Sequence, residues 1–189
     1  MRFFLLILFF IQLIAGLATF FYTWSRLKEQ VQIHSQAAEF TFPQGLSTHT
    51  QYIHNMDVQK LAYWYFPVKN PKAVVILVHG YKNPGGKALM LSHAKYLHDA
   101  GYSTALLDLR SHGESEGDKI SLGVEEWKDV VTIYDLMKSL PENNGKKIGY
   151  LGISMGAVSA LNAQGLTQRG DFIVASVPYA DVDSLLKFQ

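Results

Sequence analysis

The chain contains no cysteine, and its charges all but cancel: 17 Lys and Arg stand against 16 Asp and Glu in 189 residues. Without cysteine there is neither a disulfide scaffold nor a thiolate-ligated zinc or iron–sulfur site. Without a basic excess there is no electrostatic footprint for nucleic acid, so none is expected as a partner. There is no internal repeat and no low-complexity tract, which excludes solenoids and compositionally biased segments. With 48% hydrophobic and 13% aromatic residues, the composition also excludes a disordered chain.

Charge is missing altogether from Phe3 to Trp24. As a helix this run would rise about 33 Å at ~1.5 Å per residue, enough to cross a hydrocarbon core. Arg26, Lys28 and Glu29 close it. Residues 1–24 are therefore expected to be one uncleaved transmembrane helix, with the lipid bilayer as partner through residues 3–24. Gly16 and Ala18 would suit a signal cleavage site, but Phe20, Phe21, Tyr22 and Trp24 continue the apolar run past them. The expected topology is a single-pass protein with its N-terminus inside and its soluble domain extracytoplasmic. Residues 25–48 are polar, then carry Pro43 and Gly45, and read as a stalk and linker.

From residue 49 onward apolar runs alternate with helical patterns. Strands are expected over His49–His54, Leu61–Val68, Ala73–Val78, Ser103–Leu107, Lys147–Leu151 and Phe172–Val177. Helices are expected over Lys87–Ala100, Leu122–Leu140 and Met155–Gln164. The run AVVILV at 73–78 suits a strand buried on both faces. Such alternation predicts an α/β fold, a mostly parallel sheet covered on both faces.

Three segments carry chemistry. Gly152-Ile153-Ser154-Met155-Gly156 follows the strand IGYL and opens the small-residue helix AVSALNA. That is the setting in which G-x-S-x-G forms a sharp strand-to-helix turn with its serine projecting above the sheet. The bland alternative is a glycine-rich turn with an ordinary N-cap serine. His79-Gly80-Tyr81 follows the all-apolar strand. Acyl transfer needs two N–H donors aimed at the developing oxyanion; Met155 and Tyr81 are the backbone candidates. His79 is tempting as a base, but a side chain that orders its loop is the stronger reading. Asp108 to Gly117 packs Asp, Arg, His and Glu around two glycines. Arg110 competes for the carboxylates there, so internal hydrogen bonding is expected and no metal site.

On these segments, with Tyr65-Phe66-Pro67 and Val177-Pro178-Tyr179-Ala180-Asp181, the chain over residues 49–186 resembles the alpha/beta-hydrolase superfamily. It is similar to bacterial membrane-anchored hydrolases of the serine aminopeptidase-like or esterase-like kind. The resemblance implies a three-layer sandwich in 49–189, with Ser154 as nucleophile and the Tyr81 and Met155 N–H groups as the oxyanion hole. It implies a structural 110–113 loop, no cofactor, and an ester or, second, a peptide-like small substrate. Such a site also needs a histidine and an acid, in the chain order Ser, acid, His. The 35 residues after Ser154 hold Asp171, Asp181 and Asp183 but no histidine; all seven histidines lie upstream. Acid and base are therefore expected beyond Gln189, the chain is expected to be C-terminally truncated and inactive as written, and the Phe172–Val177 strand is expected to be an open edge. The competing function is a non-catalytic, membrane-tethered module of the same fold. A nucleotide or flavin protein is disfavoured, because residues 79–86 have neither G-x-G-x-x-G spacing nor a Walker Lys-Ser pair.

Overall fold

The computed structural model describes residue 12 and residues 15–22, 40–81 and 86–181. The chain divides into two compact units, Met1–Ile33 and His34–Gln189. In the first, residues 12 and 15–22 are helical. Among the described residues no helix is long and apolar enough to cross a membrane. The rest of the expected span, and most of the expected stalk, lie outside the described residues.

The second unit holds a six-stranded sheet. In chain order its elements are β1 (Gln51–His54), β2 (Lys60–Phe66), β3 (Val74–Val78), a 3-10 turn (Gly86–Met90), α1 (Leu91–Asp99) and β4 (Ser103–Leu107). Then come α2 (Trp127–Ser139), β5 (Ile148–Ile153), α3 (Met155–Thr167) and β6 (Ile173–Ser176). The strand order is β1-β2-β4-β3-β5-β6. β3, β4, β5 and β6 run parallel; β2 pairs antiparallel with both β1 and β4.

β3 is central, and all five of its residues are buried. Side chains alternate across the sheet with period two. Val74, Ile76 and Val78 join Tyr63, Tyr65, Leu107 and Tyr150 on one face, packed by Val130, Ile133 and Met137 of α2 and Ala160 and Ala163 of α3. Val75 and Leu77 join Trp64, Phe66 and Leu106 on the other, packed by Leu91 and Ala94 of α1. The result is three layers, α2 and α3, sheet, then α1. Each fully buried aliphatic side chain contributes roughly 1.5–3 kcal/mol. The apolar runs therefore select this pairing over solvent-exposed alternatives.

Two helices begin later than expected. The 122–140 pattern becomes helical only at Trp127. Leu122 and Gly123 take φ values of 55° and 93°, and a Cβ on Gly123 would lie 2.7 Å from Val158 Cγ1. The buried Glu126 carboxylate accepts the Ser121 N–H, the Ser121 hydroxyl and the Gly123 N–H, and Ser121 Oγ in turn accepts the Glu125 N–H. That reciprocal cap fixes a turn where periodicity alone reads helix. Similarly, the 87–100 pattern opens as a 3-10 turn, because Asp108 takes the Lys87 N–H at 2.6 Å.

Candidate active site

β3, β4 and β5 end in register at one edge of the sheet. Val78 sits opposite Leu107 on one side and Gly152 on the other. The three loops that follow these strands therefore emerge together, where open α/β sheets place their sites. All three chemistry-bearing segments of the sequence lie on those loops.

Ser154 sits at the turn between β5 and α3 with φ 53° and ψ −120°. A non-glycine residue there is strained, at a cost of order 1–3 kcal/mol. An ordinary N-cap serine has extended backbone and bonds the N–H of the second or third helical residue. Ser154 does neither: its side chain makes no cap hydrogen bond. Its backbone is held instead. The Ser154 N–H donates to Ser176 O at 2.9 Å, and its carbonyl accepts the Ala157 and Val158 N–H groups at 2.9 and 3.1 Å. The flanking glycines are sterically required. A Cβ on Gly152 would overlap the Gly156 carbonyl, and a Cβ on Gly156 would overlap the Val78 and His79 carbonyl oxygens. The second contact presses the first turn of α3 onto the loop after β3. Met155, the first residue of that helix, has an N–H with no intrahelical partner available.

In the loop after β3, His79 is fully buried. Its Nδ1 lies 2.8 Å from Gly80 O and its Nε2 accepts the Leu109 N–H at 3.1 Å. A carbonyl only accepts and an amide N–H only donates, so the ring is neutral with its proton on Nδ1. Burial, helped by the nearby His112, pushes its pKa down to about 4. With both nitrogens engaged it has no lone pair for a serine proton, and the loop-ordering reading holds. Tyr81, the next residue but one, is 39% exposed.

The loop after β4 is held by buried charge. Asp108 accepts the Lys87 N–H and the Lys87 ammonium, each at 2.6 Å, and the Glu114 N–H at 2.9 Å. The Lys87 ammonium also reaches Glu114 at 2.9 Å and lies 4.6 Å from the Trp64 ring centroid. Neither Gly86 nor Gly113 has room for a Cβ beside the Asp108 carboxylate. Arg110 donates to Asp129 through its backbone N–H at 2.9 Å, Nε at 3.1 Å and Nη2 at 2.7 Å, and to Asp57 through Nη1 at 2.9 Å. Burial disfavours the Arg110 charge, but the hydrogen-bonded Asp129 outweighs this and raises its pKa. His112 rests its Nδ1 on Arg110 O at 2.8 Å and sets its ring edge-on to His79 at 4.9 Å. The internal bonding expected of this loop is present where backbone groups take part, His112 on Arg110 O and the Glu114 N–H on Asp108. The charged side chains instead find their partners outside the loop, Asp108 and Glu114 in Lys87 and Arg110 in Asp129 and Asp57. The buried His112 Nε2 has no hydrogen-bond partner among the described residues.

The sequence reading missed Lys87 as a buried anchor. A lysine just after Gly85-Gly86 reads as a solvated helix start; the only hint was Gly86, which marks a close backbone approach. Among the described residues, no histidine nitrogen reaches Ser154 Oγ.

The family described as serine aminopeptidase, S33, matches residues 69–186. An uncharacterized protein of Bacillus subtilis, YqkD, is 35% identical over 105 residues, covering 53% of this chain and 34% of that one. The polyketide transferase claH of Penicillium crustosum is 36% identical over 90 residues, covering 45% and 28%. Among solved structures, the Pyrococcus furiosus esterase Pf2001 superposes with a TM-score of 0.67 at 26% identity, covering 80% of this chain and 62% of its own. The alpha/beta hydrolase GrgF from Penicillium shares the fold at a TM-score of 0.66 and 22% identity, covering 76% and 52%. The chain spans about a third of the length of the curated relatives it matches.

Proposed function

The chain belongs to the serine aminopeptidase family of alpha/beta hydrolases, and from that premise we propose that it carries the nucleophile and oxyanion hole of a serine hydrolase. One observation carries the reading: Ser154 is held at φ 53° on a turn whose glycines admit no side chain, with no hydrogen bond spent on capping its helix. A local structural role would relax that strain; a nucleophile presented above a sheet requires it.

In the proposed mechanism Ser154 Oγ attacks the carbonyl carbon of an ester. Its proton passes to a base, and the carbonyl oxygen becomes an oxyanion between the Tyr81 and Met155 N–H groups. Collapse expels the alcohol, which takes the proton from the base, and leaves an acyl group on Ser154. Water then adds by the same route and releases the acid. Acid and base are proposed to lie in polypeptide beyond Gln189. Esters come first because the esterase likeness combines 26% identity with shared fold; peptides come second through the family description. The absence of histidine from residues 155–189 favours one other reading, a non-catalytic module of the same fold. The uncharged run Phe3–Trp24 supports a single-pass membrane anchor, and the lack of cysteine is compatible with the proposed extracytoplasmic domain. The anchor is tested by whether the chain resists salt extraction from membranes while one starting at Ser25 is soluble.

The test of the mechanism supplies the base from solution. The 189-residue chain is incubated with a fluorophosphonate and rising imidazole, and modified residues are mapped by mass spectrometry. The expected result is slow modification at Ser154, accelerated in proportion to free imidazole and lost in Ser154→Ala. Modification spread over exposed serines, or at Ser154 without response to imidazole, would overturn it.

A further inference from the structure

We propose that His79 is the positioning residue of the oxyanion hole: it fixes the Gly80–Tyr81 peptide plane, so that the Tyr81 N–H faces the reacting carbonyl. This rests on the reading of Ser154 and Tyr81 given above. The argument is one of peptide geometry. The carbonyl of Gly80 and the N–H of Tyr81 belong to the same amide, which is planar and trans, so they point in opposite directions. The structure has no cis peptide bond among its described residues. Whatever grips the Gly80 oxygen therefore also aims the Tyr81 hydrogen. His79 Nδ1 grips it at 2.8 Å.

The grip is itself anchored. His79 Nε2 accepts the Leu109 N–H at 3.1 Å, which forces the ring proton onto Nδ1, the nitrogen that faces Gly80. Leu109 follows Asp108, which Lys87 and Glu114 hold from two sides. The ring is fully buried, so it cannot turn toward water. On the other side, the Val78 and His79 carbonyls are pressed against Gly156, which sets the spacing between this loop and the helix bearing the Met155 N–H. A peptide flip at Gly80–Tyr81 would break the His79 bond and put a carbonyl where the donor belongs. Gly80 is a residue that permits such a flip, so the bond selects one of two accessible orientations.

The two ring nitrogens can be tested separately. Asn carries its amide nitrogen on Cγ, where His carries Nδ1, so His79→Asn keeps a donor for Gly80 O and drops the acceptor for Leu109. Gln carries its amide oxygen on Cδ, so His79→Gln keeps the acceptor and drops the donor. Imidazole-dependent modification of Ser154 is measured for both in the 189-residue chain, with thermal midpoints alongside. Losing one oxyanion donor costs roughly 10²–10³-fold in rate. His79→Gln is therefore expected to react about a hundredfold more slowly than the parent. His79→Asn is expected to recover at least about a tenth of the parent rate, even if it is the less stable of the two. A folded His79→Gln that reacts as fast as the parent, or the two variants slowed in step with their stability, would overturn the proposal. A parent chain that does not react at Ser154 would instead overturn the nucleophile reading on which it rests. Should both variants fail to fold, nitrogen-15 spectra of the parent decide: the proposal requires the ring proton on Nδ1, and a proton on Nε2 contradicts it.

Discussion

At the β3–β4 end of the sheet charged groups are buried against partners: Lys87 is 2% exposed, and Asp108, whose carboxylate is held by Lys87 and the Glu114 N–H, is 1% exposed. Along β6 the side chains alternate between half-buried and open, with Val174 54% exposed. The first region uses ion pairs and an imidazole to hold the loops after β3 and β4. The second adds one ladder to the sheet and receives the Ser154 N–H through Ser176. Buried ion pairs are expensive to desolvate and weak as net stabilisers. Their concentration at one end makes sense as geometry: they specify where the Gly80, Tyr81 and Gly86 backbone sits.

The comparison breaks most severely at Asp108. Replacing it with Ala leaves the buried Lys87 ammonium with only the partly exposed Glu114 as a carboxylate partner among the described residues, and removing one partner of a buried pair costs about 3–5 kcal/mol. Urea titration is expected to show that loss, with Asp108→Ala falling below the stability needed to fold if the domain is marginal. The second effect is acid sensitivity. His79 titrates at about 4 in the folded chain and near 6.5 unfolded. Between these values the unfolded state binds the extra proton, so stability is complete above about pH 6.5 and falls as pH drops towards 4. A shift of this size amounts to on the order of 3 kcal/mol. Burial lowers the His112 pKa as well, adding loss in the same direction. His79→Asn is expected to flatten the pH 4–6.5 part of the profile; an unchanged slope would contradict the burial of a neutral His79.

Gly156→Ala comes third. Its methyl meets backbone carbonyls rather than a yielding side chain, and overpacking of that kind costs about 1–3 kcal/mol. It also pushes the loop after β3 away from α3, so modification of Ser154 is expected to fall further than stability does. Val174→Thr on β6 is the smallest, within about 0.5 kcal/mol by thermal melting. A larger loss there would show that the edge strand is more tightly integrated than its exposure suggests.

What could be read from the residues follows the same division. The strands were legible because short apolar runs such as VVILV and LAYWYF stand between turn residues; Ser103–Leu107, with the sequence STALL, agrees residue for residue. The Ser154 turn was legible because Gly152 and Gly156 flank it between a strand and a helix. The polar contacts were not. Arg110 finds its carboxylate in Asp129, 19 residues on, and Lys87 finds Asp108 at 21; no periodicity encodes either pairing. The late start of α2 was hidden for a related reason. Glu126 looks like a helix residue until its carboxylate is seen to bind the turn before it.

The central claim is that Ser154 Oγ, the Tyr81 N–H and the Met155 N–H converge on one reacting group. It is tested most directly by a crystal structure of the chain phosphonylated under imidazole. The account expects the phosphorus on Ser154, with one phosphonyl oxygen about 2.7–3.1 Å from both backbone nitrogens. A phosphonyl oxygen turned to solvent, or bound by Met155 alone with the Gly80–Tyr81 peptide reversed, would contradict it.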